Sequence, residues 1–297
     1  MHPEPTHGNR LGIYGYGEIG HALAMGLRAQ SVPICAYHHA PQRPSVQART
    51  EASGVIVAAS LQELSDRSDT IVALMQGRSA LEAARDIAPM LRAGQHYIDF
   101  TTASPRIKIA VAAALSNSPA TVTDGAIEGS PMEYGHRLPV LLSGASAQEL
   151  SRLLKEWGLR PTVIGENIGQ AAAVKSLRNI LIKGQMALLV ESAVAADYYG
   201  VHAQLFESVA KWYDEVPFLN HVQRTLRTIT VHAARRGQEA AMAEEMLAEA
   251  GVPHTMTSAA KSVLDGVALL ELREKLGEIP PATAQEAVAL LRCYKPV

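Results

Sequence analysis

The strongest periodic signal in the chain runs from residue 169 to about 199. Apolar positions Val174, Leu177, Leu181, Met186, Leu189, Val190 and Val194 follow an alanine-rich start at helical spacing. That pattern predicts one long, buried, glycine-poor helix. Before it the pattern is different. Short apolar runs at 10–14, 32–37, 55–58, 70–74, 96–100, 121–123, 139–143 and 162–164 alternate with amphipathic stretches. Such alternation predicts an α/β fold, a doubly wound sheet with helices on both faces. Turn and cap signals agree: Ser60 with Glu63 forms an S-x-x-E capping box, and Pro105 suits the first turn of a helix. After residue 165 the pattern is helical almost throughout, broken at Pro217, around Gly251 and Pro253, and between Gly277 and Pro281. The expected organisation is therefore a Rossmann-type domain over 1–165 and an all-helical domain over 166–297. The long helix is expected to join them and line the cleft between.

The first run is followed at once by Gly15-Tyr16-Gly17-Glu18-Ile19-Gly20 and a helical stretch. Strand, G-x-G-x-x-G, helix is the order needed to bind a dinucleotide. Gly15 permits the tight turn, Gly17 leaves room for pyrophosphate against backbone, and Gly20 lets helix and strand approach. The helix N-terminus supplies free N–H groups for the phosphates. At the end of the second strand an enzyme using NAD usually carries an acid for the ribose 2′-hydroxyl. Here the chain reads Tyr37-His38-His39-Ala40-Pro41-Gln42-Arg43. His39 and Arg43, with His38 beside them, suit a 2′-phosphate, so NADP(H) is expected in preference to NAD(H). Met75 and Gln76 fall at another strand end, facing the cofactor. Thr101 and Thr102 precede the helix begun by Pro105, either as capping residues or beside nicotinamide and substrate.

On the long helix Lys175 and Asn179 stand four residues apart and share a face. A lysine on an apolar helix is costly unless it is paired or working. The plain alternative is a side chain that snorkels to water or meets one carboxylate.

Composition narrows the classes. The chain has 297 residues, 47% hydrophobic, with a formal net charge of -2. It is long enough for two packed domains and too balanced in charge for nucleic acid or a membrane surface to be the main partner. Two cysteines, Cys35 and Cys293, supply neither a disulfide framework nor metal-ligand spacing. Neighbouring histidines alone do not make a metal site, and no metal is expected. The Pro/His-rich start, residues 1–9, lacks an apolar signal core, and no apolar run reads as a membrane span. A cytoplasmic protein is expected.

The glycine motif, Thr101-Thr102 with Pro105, the segment from Asp124 to Gly129, and Gly169 with Lys175 and Asn179 stand in the order and spacing of the β-hydroxyacid dehydrogenases. The chain resembles that family, which includes 3-hydroxyisobutyrate, tartronate semialdehyde and 6-phosphogluconate enzymes. Its remainder is similar to the helical domain of phosphogluconate-dehydrogenase-like members, with Arg235, Arg236, Glu239 and Glu245 in the helical core pattern. The resemblance implies hydride transfer between nicotinamide and a hydroxyl-bearing carbon near a carboxylate. Lys175 matches the family's catalytic lysine, and Asn179 the residue that holds that lysine or the substrate. A desolvated amine suits general acid/base work and can lie against a developing oxyanion. The long helix and the apolar helices around Val263 to Leu276 carry more hydrophobic surface than one small helical domain can bury. Relatives dimerise through this region, so a homodimer is expected, with the partner chain a candidate to complete the cleft. His232, Arg235 and Arg236 are candidate contributors, although a basic amphipathic face would look the same.

Departures from the family pattern bear on substrate. Where commoner members have Asp-x-Pro-Val-Ser-Gly-Gly, this chain has Ala126-Ile127-Glu128-Gly129-Ser130, placing Glu128 at a substrate-binding serine. Arg178 stands where phosphogluconate decarboxylases have histidine. Glu128, Gly129 and Arg178 are therefore the substrate-binding candidates. Three functions follow: an NADP(H)-dependent dehydrogenase or reductase acting on CH–OH of a small polar substrate; an imine reductase, for which Glu128 would suit a cation and Lys175 would be unusual; and a dinucleotide-binding regulator without turnover, against which the Lys175 and Asn179 pair argues.

Overall fold

The computed structural model describes residues 10–297. The Pro/His-rich start read above as lacking a signal core lies outside them. The chain forms two compact units, one ending at Asn179 and one running from Ile180 to Val297.

In the first unit the elements are β1 (Leu11–Tyr14), α1 (Glu18–Arg28), β2 (Ile34–Tyr37), α2 (Pro44–Ser53), β3 (Ile56–Val57), α3 (Leu61–Asp66), β4 (Thr70–Ala73) and α4 (Ala80–Ile87). There follow β5 (His96–Asp99), α5 (Pro105–Ala114), β6 (Thr121–Ile127), α6 (Pro131–Tyr134), β7 (Pro139–Ser143), α7 (Ala147–Glu156), β8 (Arg160–Gly165) and α8 (Gln170–Tyr198), which runs on into the second unit. The eight strands form one sheet in the order β3-β2-β1-β4-β5-β6-β7-β8. Every pairing is parallel except that between β6 and β7. This is the doubly wound α/β fold expected, with an antiparallel reversal at β7 that apolar runs alone do not reveal.

Alternate residues of a strand point to opposite faces, and both faces of this sheet are covered. Ile34 and Ala36 of β2 pack into one core with Leu23 and Leu27 of α1 and Leu150 and Leu154 of α7. Cys35 between them packs into the other, with Leu64 of α3, Ala83 and Ile87 of α4, and Val111 of α5. The helix starts follow local chemistry. Ser60 Oγ accepts from Glu63 N–H, and the Glu63 carboxylate accepts from Ala59 N–H, so the S-x-x-E signal forms a cap worth about 1 kcal/mol. Pro44 and Pro105 occupy first-turn positions of α2 and α5.

The second unit continues with α9 (His202–Asp214), α10 (Phe218–Glu249), α11 (Thr255–Ala268), α12 (Leu272–Lys275) and α13 (Ala284–Leu291). Its breaks fall at Pro217, around Gly251 and after Gly277, as the sequence suggests, and at Gly200 and between Ala268 and Leu272 as well. Gly237 of α10 lets α11 approach closely: a Cβ there would meet Asp265 Oδ1 at 2.5 Å. The Glu191 carboxylate of α8 accepts from the N–H groups of Met256 and Thr257 at the start of α11.

Three expectations change. First, α8 is long but not buried: all seven residues of its apolar stripe are exposed, Leu177 by 62% and Val190 by 67%. Its ordered start is fixed by Ala171, which packs with Ala126 of β6 and Leu141 of β7. The first compact unit takes in this start and runs on to Asn179. Second, α8 is by length and composition long and apolar enough to cross a membrane, contrary to the reading that no run qualifies. Third, Arg235, Glu239 and Glu245 are exposed rather than core. Arg235 pairs with Glu239 one turn on, and Arg236 donates to Thr228 Oγ1 at 2.8 Å, so this basic face satisfies itself locally.

Candidate functional site

The sheet's order reverses beside β1, whose neighbours are β2 and β4, and a cavity of about 660 Å³ opens at the carboxyl ends of these three strands. Crevices of this kind are where doubly wound sheets bind ligands. Its lining includes Gly15 and Gly17 after β1, Tyr37, His38, His39 and Arg43 at and after the end of β2, and Met75, Gln76, Arg78 and Ser79 after β4. Glu82 and Asp86 of α4 also face it.

The three glycines of the motif are distinct in space. Gly15 has φ +102°, and a Cβ on it would lie 2.9 Å from the Met75 backbone nitrogen. Gly17, in an ordinary extended conformation, is the N-cap of α1 without a side-chain cap, and among the described residues a Cβ on it would meet nothing within 4 Å. Gly20 packs on the strand, its Cβ position 2.9 Å from Ile13 Cγ2. An uncapped helix start above open space fits a pyrophosphate. The other residues of the motif differ. Tyr16 is fully buried with its hydroxyl 2.7 Å from Ser53 Oγ, so its side chain braces α2 rather than facing a cofactor. Ile19 packs against the core and Glu18 is exposed at the first turn of α1; neither lines the cavity.

His38 and His39 stack with ring centroids 4.6 Å apart. Burial holds the His38 imidazole below its ordinary pKa, and the neighbouring His39 and Arg43 push the same way. An anion placed here would reverse that balance. Arg78, Glu82 and Asp86 were not singled out from the sequence. The signal available was position: Arg78 follows the carboxyl end of β4, and the two acids repeat at helical spacing on α4.

A second group of side chains surrounds the start of α8. Lys175 Nζ donates to Thr102 Oγ1 at 3.1 Å, joining α8 to the loop between β5 and α5. Thr101, beside it, is buried, and its hydroxyl has no partner among the described residues. One turn after Lys175, Arg178 Nε lies 3.6 Å from Glu128 Oε1. Glu128 and Gly129 leave the end of β6, and the Gly129 backbone lies against the Tyr134 ring. Desolvation holds Lys175 below the ordinary lysine pKa; the Lys108 ammonium and Arg178 add to this, while Glu128 opposes it. Asn179 is half-buried one turn on and makes no side-chain hydrogen bond among the described residues. The structure thus brings Lys175, Thr102, Glu128 and Arg178 together, and leaves Asn179 beside them without a side-chain hydrogen bond to the lysine among the described residues.

The chain and its fold have counterparts among known proteins. Residues 10–165 match the family model described as the NAD binding domain of 6-phosphogluconate dehydrogenase, and residues 196–267 match a domain of unknown function, DUF1932. A curated relative, an uncharacterized 28.5 kDa protein in the 7S RNA 5′ region of Methanothermus fervidus, is 22% identical over 86% of this chain and 97% of its own. Among solved structures, a conserved protein of unknown function, reported as similar to 3-hydroxyacid dehydrogenases, is 27% identical with TM-score 0.61, covering 89% of this chain and 98% of that one. The imine reductase of Myxococcus stipitatus shares the fold at 18% identity. Its NADP+ complex gives TM-score 0.73 over 95% and 100% of the two chains, and a variant solved with NAD+ gives 0.75 over 96% and 100%.

Proposed function

We propose, from the premise that this chain belongs to the family of the NAD binding domain of 6-phosphogluconate dehydrogenase, that it is an NADP(H)-preferring reductase or dehydrogenase of a small polar substrate, with Lys175 as its general acid/base. The fold is that of nicotinamide-dependent dehydrogenases and reductases, related to hydroxyacid dehydrogenases and imine reductases. The observation that carries the finer reading is Lys175 itself: a partly desolvated ammonium with lowered proton affinity, held by one hydroxyl and flanked by Glu128 and Arg178.

Gly15, Gly17 and the first turn of α1 would hold the pyrophosphate, and Arg43 with His38 and His39 the 2′-phosphate. When bound, the dinucleotide supplies the hydride. Lys175 would donate its proton to the substrate oxygen as negative charge grows there, and would take it back in the oxidative direction. Thr102 orients the ammonium, and Arg178 offers its guanidinium edge to a substrate carboxylate. A titration with NADPH and NADH, followed by cofactor oxidation against aldehydes, keto acids, ketones and imines, tests the whole reading. If neither dinucleotide binds, it fails at its first step. Replacing Arg43 by alanine is expected to weaken NADPH about tenfold or more while leaving NADH within about twofold, because one charge-assisted contact to a phosphate is lost. Equal losses for both cofactors would put the 2′-phosphate elsewhere.

A second reading, imine reduction, is favoured by Glu128. Its carboxylate, 3.6 Å from Arg178, would attract an iminium in place of repelling it. Preferential oxidation of NADPH by cyclic imines over ketones and keto acids would establish it.

A homodimer completes the proposal. The second unit has little core of its own, with one small cluster at Ala195, Leu247 and Val252, while α8 exposes its apolar stripe. A second copy is a better cover than lipid, since Lys183 and Glu191 interrupt the helix and Glu191 is committed to α11. The protein is expected to sediment as a dimer, and Leu189→Glu to shift it to monomer at micromolar concentration. A monomeric parent protein would refute this.

A further inference from the structure

Beneath Lys175 lies a set of buried charges that the proton-transfer chemistry does not use. Lys108 of α5 is 2% exposed. Its Nζ donates to the backbone carbonyls of Asp99 at 2.5 Å and Gly125 at 3.1 Å. It also meets the carboxylates of Asp99 at 3.0 Å and Asp124 at 3.5 Å. A buried ionic cluster is costly, and well-packed apolar residues in its place are often as stable or more so. Its connections point to another role.

One arm runs through Asp99, at the end of β5, whose Oδ1 accepts from Thr101 N–H at 2.9 Å and so fixes the loop that carries Thr102. The other runs through Asp124 of β6. Its Oδ2 accepts from the N–H groups of Gly169 at 3.0 Å and Ala172 at 3.1 Å, and from Ser143 Oγ at 3.0 Å. Ser143 Oγ in turn accepts from Ala171 N–H at 3.0 Å. These bonds satisfy the first turn of α8, one turn before Lys175. The Lys175 to Thr102 hydrogen bond therefore spans two segments that are each anchored to one buried ammonium.

We propose that Lys108, Asp99, Asp124 and Ser143 are positioning residues whose function is to hold Lys175 against Thr102, at the site and partly shielded from water. The proposal rests on the reading of Lys175 as the proton-handling group. The charged groups facing Lys175 are Lys108 from α5, Glu128 from the end of β6 and Arg178 from its own helix. Desolvation is the largest cause of its lowered proton affinity and Lys108 the next. Loosening the network lets Lys175 move further into solvent, and both causes weaken in the same direction: its pKa rises toward the ordinary lysine value.

The test is the titration of Lys175, followed by NMR in protein labelled at the lysine side chains and assigned from the signal missing in Lys175→Ala. Turnover and NADPH affinity are measured alongside. Ser143→Ala removes one neutral hydroxyl, and Lys108→Met removes the hub. Both are expected to move the Lys175 titration upward and lower kcat about tenfold, with NADPH affinity unchanged. Ser143→Ala combined with Thr102→Val should be no worse than Thr102→Val alone, because both act through one bond. Should Lys108→Met not fold, Ser143→Ala decides. A Lys175 titration unmoved in Ser143→Ala, or strictly additive losses in the double variant, overturns the positioning role. If Lys175→Ala keeps its turnover while Ser143→Ala still shifts the titration, the network stands and the catalytic reading of Lys175 falls instead.

Discussion

Lys175→Ala is expected to lower kcat by about a thousandfold, roughly 4 kcal/mol of transition-state stabilisation, while NADPH binds as tightly as before. The reason is separation in space. Lys175 is anchored to Thr102 at the start of α8 and lines no part of the cavity formed by Gly15, Gly17, Tyr37 and Arg43. A thousandfold is the middle of what a positioned acid or base contributes. The pH dependence has a definite sign. In the reductive direction Lys175 must carry its proton, and that proton is held less firmly than in an ordinary lysine because the ammonium is desolvated and faces Lys108 and Arg178. The rate of reduction should therefore fall as pH rises through the lowered pKa, before the ordinary lysine range is reached, and the rate of oxidation should rise over the same interval. Steady-state kinetics in both directions, with NADPH affinity from fluorescence, measure this. A kcat within tenfold of the parent protein, or a pH profile without that limb, would remove Lys175 from the chemistry.

What could be read from the sequence follows the range of the forces involved. Strand and helix order, the cap at Ser60 and the glycine turn are written in neighbouring residues, and they appear where the pattern puts them. That Lys175, Thr102, Glu128 and Arg178 belong to one site was implied by the family resemblance alone, since their distances depend on which strand ends share one edge of the sheet. Other features were not legible. An apolar stripe such as that from Val174 to Val194 reads the same whether the cover is the chain's own core or another molecule: the surplus of apolar surface on the long helix is legible, but not that the whole stripe stays exposed. Lys108 sits in Pro-Arg-Ile-Lys-Ile-Ala-Val, where a lone lysine on an apolar helix suggests snorkelling. Its partners Asp99 and Asp124 lie on two separate strands, and only the fold shows that all three are buried together. Tyr16 illustrates the converse. Its place inside the glycine motif suggested a cofactor contact, but only backbone geometry is specified there, and the side chain is free to fill the core beside Ser53.

Gly17→Val and Gly15→Val should separate binding from folding. At Gly15 the backbone has φ +102°, and a Cβ would press on backbone atoms of Leu74 and Met75 at about 3 Å. Valine there is strained by conformation and by contact, so the variant is expected to lose several degrees of thermal stability along with cofactor binding. At Gly17 φ is -92°, a conformation open to any residue, and the space a side chain would enter is empty. The fold has no need of glycine at that position, and thermal unfolding should stay within about 2 °C of the parent protein. The empty space lies above the uncapped first turn of α1, where a pyrophosphate would need to touch backbone N–H groups. A valine side chain there keeps phosphate from the helix start, and both NADPH and NADH are expected to bind at least about a hundredfold more weakly, roughly 2.7 kcal/mol. Calorimetric titration with each cofactor and a melting curve are the two measurements. Retained binding in a stable Gly17→Val would mean that the phosphates do not sit at this turn. If stability and binding were lost together at both positions, Gly17 would be serving the fold, and the empty space above it would carry no functional meaning.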